Sequence, residues 1–395
     1  MNNYKNIDYH QFNNSSTNTY ISQSLAFYLY EIKERLNQCE QEWDSYKKIT
    51  NPYEYIHTTI YQNKKCIAKY KPLSRSFFKM IEISTFFKIH EIHKPIKTFH
   101  LAEGPGGFIE ALIQLRQCKD DKYIGMTILE DDSDPNSPAW KKSMQFLKDN
   151  PNIHIETGYD KTGNIISFDN LKWCNDKYRS SMDIISGDGG FDFSTDFNNQ
   201  EKNISKLLFA QVAYALVMQK HNGTFILKMF DSFMQHTVDI LAILSSFYKQ
   251  VNITKPQTSR YANSEKYIVC TGFIYSSNEE FLPYIYNAFE KMCIDLEQTK
   301  INANDKSITT AFVQERFLNI TIPHLFLSKV EEYNSFIGQQ QLYNIHYTLS
   351  LICNKHKSTK IENLVKQNTQ KCIQWCINNN IKYNTITNTN MFTHN

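Results

Sequence analysis

Between residues 98 and 274 short apolar runs alternate with stretches of helical length, and this alternation restricts the chain to very few folds. The apolar runs at 98–102, 123–129, 153–157, 182–186 and 224–229 have the length and composition of buried strands. Helical stretches follow at 108–118, at 137–148 behind Pro138, at 199–220 and at 234–248. Repeated strand-then-helix units imply a parallel sheet with helices on both faces. The last two runs, 251–254 and 266–274, have no helix-length connection between them. Parallel neighbours need a crossover, so the final strand is expected to run backwards. The predicted fold is α/β, a Rossmann-like seven-stranded sheet with its last strand antiparallel.

Flanking this core, residues 21–48 carry Leu25, Phe27, Leu29, Ile32 and Leu36 at helical spacing, with Ser22 as an N-cap candidate. A second helical stretch, 74–92, precedes the first strand. The chain is therefore expected to divide into a disordered tail (1–20), a helical N-terminal region (21–95), an α/β core (96–277) and a separate helical C-terminal module (278–395). Helices are predicted in that module at 281–298, 307–317, 327–336, 342–353 and 361–378.

Composition excludes several classes of function. Lys and Arg number 43 against 40 Asp and Glu, a formal charge of +3, so any nucleic-acid contact must come from a local patch. A mean hydropathy of −0.50 and the lack of a long apolar run predict a soluble protein without a membrane partner. The nine cysteines include no Cys-x-x-Cys pair, and the N-terminus has no signal-peptide pattern. Reduced thiols and a cytoplasmic location are expected. The Asn, Lys and Ile bias reflects an AT-rich gene and would suit a large cytoplasmic DNA virus.

In open α/β sheets, ligands bind beyond the carboxyl ends of the strands. Glu103, Gly104, Pro105, Gly106, Gly107 and Phe108 stand there, between the first strand and its helix. Glycines let the backbone approach a ligand, and the helix start offers free N–H groups. The turn lacks the Lys-Ser/Thr of a phosphate loop. Four charged residues converge on the same edge. Lys79 precedes the first strand, Asp188 follows 182–186 between glycines, Lys228 ends 224–229, and Glu265 precedes the reversed strand. Burying an amine such as Lys228 inside Phe225-Ile226-Leu227-Lys228-Met229-Phe230 needs a reason.

A strand order with one reversed strand resembles the S-adenosylmethionine-dependent methyltransferases. The segments Ser74-Arg75-Ser76-Phe77-Phe78-Lys79, Leu101-Ala102-Glu103-Gly104-Pro105-Gly106-Gly107-Phe108 and Tyr123-Ile124-Gly125-Met126-Thr127 sharpen the resemblance. So do Thr162-Gly163-Asn164-Ile165, Ser186-Gly187-Asp188-Gly189-Gly190, Phe225-Ile226-Leu227-Lys228, Lys255-Pro256-Gln257-Thr258-Ser259-Arg260 and Asn263-Ser264-Glu265-Lys266-Tyr267. Together, over roughly half the chain, they resemble the FtsJ-type RNA ribose 2′-O-methyltransferases, most of all the cap-specific mRNA branch.

The resemblance implies a catalytic tetrad of Lys79, Asp188, Lys228 and Glu265. It implies S-adenosyl-L-methionine as cofactor, with the methionine part on Glu103–Gly107, Asn164 beside the adenine, and Glu130, Asp131 or Asp132 near the ribose. His100 stands where bacterial relatives carry Asp. The implied reaction is in-line methyl transfer to a ribose 2′-hydroxyl, for which no metal is needed, with Lys228 orienting the hydroxyl and receiving its proton. Arg75, Lys255, Arg260, Tyr261 and Lys266 are the expected RNA-holding residues, with Tyr70 and the 69–71 stretch as further candidates. The expected partner is the capped 5′ end of mRNA, with contacts to capping or transcription machinery through residues 278–395. Two alternatives stand beside it: 2′-O-methylation of ribosomal or other structured RNA, and an RNA-binding or polymerase-associated subunit.

Overall fold

The computed structural model describes residues 3–13, 21–60, 65–129, 140–190, 198–304, 313–354 and 358–384. Its strands are β1 (Ile7–Asn13), β2 (Lys97–Leu101), β3 (Lys122–Met126), β4 (Ile153–Ile155) and β5 (Met182–Gly187). They continue with β6 (Gln219–Met229), β7 (Tyr248–Thr254), β8 (Lys266–Phe273) and β9 (Val313–Leu318). The helices are α1 (Gln23–Glu34), α2 (Glu40–Thr50), α3 (Ser76–Phe86), α4 (Gly107–Arg116), α5 (Met144–Asp149) and α6 (Phe168–Tyr178). After them come α7 (Gln200–Asn203), α8 (Ser205–Met218), α9 (Gln235–Phe247), α10 (Leu282–Asn304), α11 (His324–Cys353) and α12 (Ser358–Asn378).

Seven strands form the central sheet in the order β4-β3-β2-β5-β6-β8-β7. Strands β2 to β6 pair in parallel, whereas β8 is antiparallel to both β6 and β7. The reversed strand is thus inserted beside β6, which brings its start to the carboxyl edge of the parallel strands.

Side chains alternate across the sheet with period two, and two cores result. Ile184, Ile226, Tyr267 and Val269 pack with α3, α4 and α12 on one face. Phe99, Leu101, Ile185, Phe225, Leu227, Ile268 and Cys270 pack with α6, α8, α9 and α10 on the other. Each such fully buried aliphatic or aromatic side chain contributes about 1.5–3 kcal/mol of transfer free energy. None of the described helices is long and apolar enough to cross a membrane.

The flanks differ from expectation. Residues 7–13, expected in a disordered tail, are a strand paired antiparallel with β9. Tyr9 explains why. Its ring is buried, its hydroxyl donates to Asp295 at 2.8 Å, and Phe317 lies 5.7 Å from it, centroid to centroid. Residues 14–20 lie outside the described residues. Of the helix predicted at 307–317, residues 307–312 lie outside the described residues and 313–317 are strand β9 instead, which Arg316 anchors to Asp239 on α9 with bonds of 2.7 and 3.1 Å.

The helices predicted at 327–336 and 342–353 are one continuous helix, α11. Gly338 inside it marks a close approach rather than a break. A Cβ there would come within 2.7 Å of Leu25 on α1. Ser22 precedes α1 but makes no side-chain cap. Helix α6 was not predicted at all, and Ser167 caps it by accepting from Asn170 N.

The described parts of the stretch expected as a separate C-terminal module pack against the rest of the chain. Helix α12 buries Cys372, Trp375 and Cys376 against the α3 side of the sheet, and α10 packs Phe289 on Phe209 of α8. Helix α11 joins α1 and α2 through Ile345, Ile352, Ile32 and Trp43.

Candidate active site

The strand pairing brings the tetrad together. In the β6–β8 ladder Lys228 lies directly opposite Tyr267, and both side chains project toward α3. Lys228 Nζ donates to the Asp188 carbonyl oxygen at 2.6 Å and lies 3.3 Å from Asp188 Oδ1. Tyr267 OH donates to the same Oδ1 at 3.0 Å. From α3, Lys79 Nζ reaches both oxygens of Glu265, at 2.6 and 2.8 Å. Lys79 also stands 5.9 Å over the Tyr267 ring.

Two amines and two carboxylates therefore form adjacent ion pairs around one phenol. Burial pushes the Lys79 ammonium down; the charge of Glu265 opposes this and Arg75 reinforces it. For Glu265, burial would raise the carboxyl. The charges of Lys79 and Lys228 and the Lys79 hydrogen bond overcome it and hold Glu265 well below the carboxylate range. Buried pairs of this kind are weak sources of stability, since desolvation offsets most of the attraction. Their geometry points to chemistry instead.

Asp188 is held by its turn. Gln211 on α8, fully buried, accepts from Gly189 N at 3.0 Å, and a Cβ on Gly187 would come within 2.5 Å of the same amide oxygen. Asp188 N donates to Leu101 O at 3.2 Å, tying the turn to the end of β2.

The glycine turn follows that strand. Gly106 has φ +107°, a left-handed conformation that favours glycine. At Gly107 a Cβ would come within 2.3 Å of the hydroxyls of both Ser74 and Ser76, so the segment leading into α3 rests directly on the turn. Glu103 Oε1 accepts from Phe108 N at 2.5 Å and Ile109 N at 3.4 Å, capping α4, while Oε2 is buried without a partner among the described residues. Burial, then the charge of Asp188, raise the Glu103 carboxyl far above its ordinary range.

A buried carboxylate oxygen without a partner, close to a second carboxylate, suits a cationic ligand group. The ammonium of the methionine part of S-adenosylmethionine meets that description, so Glu103, Gly106, Gly107 and Asp188 fit the implied cofactor. Asn164 lies in the 160–166 loop at the same edge. Gly163 there is so close to the end of β3 that a Cβ would strike Thr127 O at 1.9 Å. The Asn164 Oδ1 is used locally, accepting from Ile166 N at 2.9 Å. Glu130, Asp131 and Asp132 lie outside the described residues. His100 is buried between Ser186 Oγ at 2.7 Å and Thr98 Oγ1 at 2.8 Å, and burial lowers it to about 3, so it is a neutral hydrogen-bonding core residue.

The expected RNA-holding residues all have partners within the protein. Lys255 Nζ donates to Asn263 O at 2.7 Å, Asn263 Oδ1 at 3.0 Å and Glu265 O at 2.7 Å, using all three ammonium hydrogens to hold the segment that carries Glu265. Burial pushes this amine down to about 7, with Glu265 opposing. Arg260 is committed to the fully buried Glu54 through bonds of 2.9 and 2.6 Å. Lys266, adjacent to Glu265 in sequence, projects to the opposite face of the sheet. It is buried 5.9 Å from the Tyr333 ring centroid, in the field of Asp231 and Glu201. Arg75 donates to Thr258 O at 3.3 Å, and Tyr261 packs on Tyr53 with centroids 6.4 Å apart.

These residues position the loop between β7 and β8, and others assist them. Ser259 Oγ donates to Glu265 Oε1 at 2.8 Å. Glu82, one turn beyond Lys79, accepts from Gln257 N at 2.6 Å, Thr258 N at 3.2 Å and Trp375 Nε1 of α12 at 3.1 Å. Gln341 of α11 donates to Ala262 O at 3.3 Å. Sequence reasoning missed Tyr267, Gln211, Ser259 and Glu82. Only Tyr267 carried a signal, since it lies two residues from Glu265 and so on the same face.

Comparison with known proteins agrees with this geometry. Residues 72–273, half of the chain, match the model of the FtsJ-like methyltransferases. The cap-specific mRNA (nucleoside-2′-O-)-methyltransferase 2 of Drosophila melanogaster is 26% identical over 320 residues, 78% of this chain and 43% of that protein. The cap-specific mRNA (nucleoside-2′-O-)-methyltransferase 1 of Trypanosoma brucei brucei is 28% identical over 260 residues, 64% of each. The chain thus spans less than two thirds of the length of these relatives. Among solved structures, human methyltransferase-like protein 13 in complex with SAH is 12% identical, with a TM-score of 0.31 over 55% of this chain and 90% of that one. On the family match and the assembled tetrad, the chain is a member of the FtsJ-like methyltransferase family.

Proposed function

We propose that the chain transfers a methyl group from S-adenosylmethionine to a ribose 2′-hydroxyl of RNA, at the cap-proximal nucleotides of mRNA. The observation that carries this reading is the Lys228–Asp188 and Lys79–Glu265 arrangement beside the unpaired Glu103 oxygen. The bound donor supplies an electrophilic methyl on a sulfonium. A 2′-hydroxyl is a poor nucleophile, so the protein's task is to orient it and to steady the charge that develops as its proton leaves.

Lys228 is the amine we assign to this task. Among the described residues its two partners are both atoms of Asp188, which leaves one direction on the nitrogen for the hydroxyl and for the proton it gives up. Lys79 is bound to Glu265 and contributes its charge at one remove. Tyr267 fixes Asp188, Gln211 holds the neighbouring Gly189 N–H, and separate bonds from Lys255 and Ser259 fix Glu265. The relatives named above as cap-specific mRNA enzymes support the substrate assignment.

The test is methyl transfer to capped RNAs that differ in 2′-O-methylation at the first and second transcribed nucleotides, with uncapped RNA as the control. Transfer to a capped RNA, lost in Lys228→Ala while donor binding by calorimetry is retained, is the expected result. Full turnover by Lys228→Ala would remove the tetrad assignment. Transfer only to uncapped or ribosomal RNA would move the substrate to the first alternative.

A further inference from the structure

Lys266 is buried, and the half-buried Lys255 and Arg260 are bonded to protein partners, which directs attention to positive surface elsewhere. The described C-terminal residues supply one. Residues 381–384 run antiparallel along 66–69. Ala68 bridges Tyr383, Lys69 N donates to Lys382 O at 2.9 Å, and Asn384 N donates to Ile67 O at 2.8 Å. Ile67, Ala68 and Ile381 face inward and are buried. The outward positions are Lys65, Lys69, Tyr70, Lys71, Lys382 and Tyr383, all exposed, with Tyr70 at 42% and Tyr383 at 37%.

None of these four lysines is held by a carboxylate among the described residues. Tyr70 is nonetheless fixed in place. Its hydroxyl donates to Glu110 Oε1 at 2.5 Å and its ring packs 5.3 Å from Phe77. The other Glu110 oxygen accepts from Leu73 N at 2.8 Å. Glu110 lies in the first turn of α4, directly after the glycine turn, and residue 73 leads into α3 and Lys79. The ladder therefore adjoins the entrance to the site on both counts.

We propose that residues 65–71 and 381–384 form a ledge that holds single-stranded RNA extending from the acceptor nucleotide. This inference rests on the reading of the site as an RNA methyltransferase. Four unpaired ammonium groups match a row of phosphates, and two exposed phenol rings offer faces on which bases stack without regard to sequence. Ammonium groups and ring faces hold the RNA body without regard to sequence and leave selection of the acceptor to the site.

The test uses the full chain with Lys65, Lys69, Lys71 and Lys382 all changed to Gln, and separately Tyr383→Ala. The same four positions changed to Arg serve as the charge-preserving control, and thermal melting checks folding. Binding of an uncapped single strand of about 20 nucleotides, by anisotropy across a salt series, reads the ledge without any methyl transfer. Each phosphate contact to a single strand contributes about 0.7 to the log–log salt slope, so the Gln variant should lose about 3 from that slope and the Arg variant nothing.

In turnover, the Gln variant should raise KM for a long capped RNA about tenfold or more. kcat should stay unchanged, as should KM for a capped trinucleotide too short to reach the ledge. Unchanged affinity and slope would overturn the ledge, and so would an equal loss on long and short substrates. Failure of the wild-type chain to methylate any RNA would sink the functional reading, while the binding arm would still report on the ledge.

Discussion

Arg260 is the position where a surface reading and the structure disagree most sharply, and its removal separates them. Its guanidinium forms a two-pronged pair with Glu54, at 2.9 and 2.6 Å, and Glu54 is fully buried. The remaining bonds to Glu54 come from Asn51 Nδ2 at 2.8 Å and Thr58 Oγ1 at 3.0 Å. In Arg260→Met these neutral donors remain, but the main counter-charge is gone. Leaving one partner of a buried pair uncompensated costs about 3–5 kcal/mol.

The pH dependence follows from the direction of the Glu54 shift. Burial would raise its carboxyl, but the Arg260 bonds and charge, followed by Arg75 and His57, hold it below the usual range. A depressed carboxyl contributes stability that is present above the unfolded value of about 4.3 and is lost as pH falls through the folded value. Without Arg260, burial dominates and the shift reverses, so the variant's deficit is largest at neutral pH and shrinks toward pH 5.

Denaturant unfolding at pH 7.5 and pH 5.5 measures this, together with the double variant Glu54→Gln/Arg260→Met, which removes the stranded charge and should recover most of the loss. An Arg260→Met protein as stable as the wild type at pH 7.5, with KM for RNA raised severalfold, would refute the argument. Arg260 would then be an RNA contact after all.

Three further outcomes follow from the site. Tyr267→Phe removes one bond to a charged acceptor, worth about 1.5–3 kcal/mol, and should lower kcat by about 10–100-fold with donor affinity little changed; steady-state kinetics read this. Donor affinity should rise with pH, because the raised Glu103 carboxyl must ionise to meet a cation. Calorimetry in buffers of different ionisation heat should show proton release on binding, and Glu103→Gln should abolish it. Gly107→Ala forces a methyl against two hydroxyl oxygens 2.3 Å away, an overpacking cost of about 1–3 kcal/mol, with a lowered melting temperature and weakened donor binding.

The sheet was legible because its strands are short, apolar and separated by helices of crossover length, and Asp188, Lys228 and Glu265 because each sits at a strand end or beside one, whereas Lys79, on α3, entered through the resemblance. What was illegible has physical causes. Strand β1 is polar in composition and is recognisable only through a partner some 300 residues away, so local periodicity carried no signal. Gly338 lies between the two helices predicted at 327–336 and 342–353, yet it reflects the approach of α1 to one continuous helix. Lys266 was expected among the RNA-holding residues of the hairpin, although it is next to Glu265 and adjacent strand residues face opposite sides. Charge type likewise announces neither burial nor partner, so Lys255 and Arg260 read as surface cations until Asn263, Glu265 and Glu54 were seen to enclose them.

The bond from Trp375 to Glu82 has a consequence for synthesis. A chain leaving the ribosome N-terminus first, at about 5–20 residues per second, exposes Lys79, Asp188, Lys228 and Glu265 well before α12 emerges. During that interval the loop bearing Glu265 lacks its brace from α12, and β1 waits for β9 with a long loop still to close. Nascent chains should therefore acquire the sheet early and the ordered site only once α12 has been made.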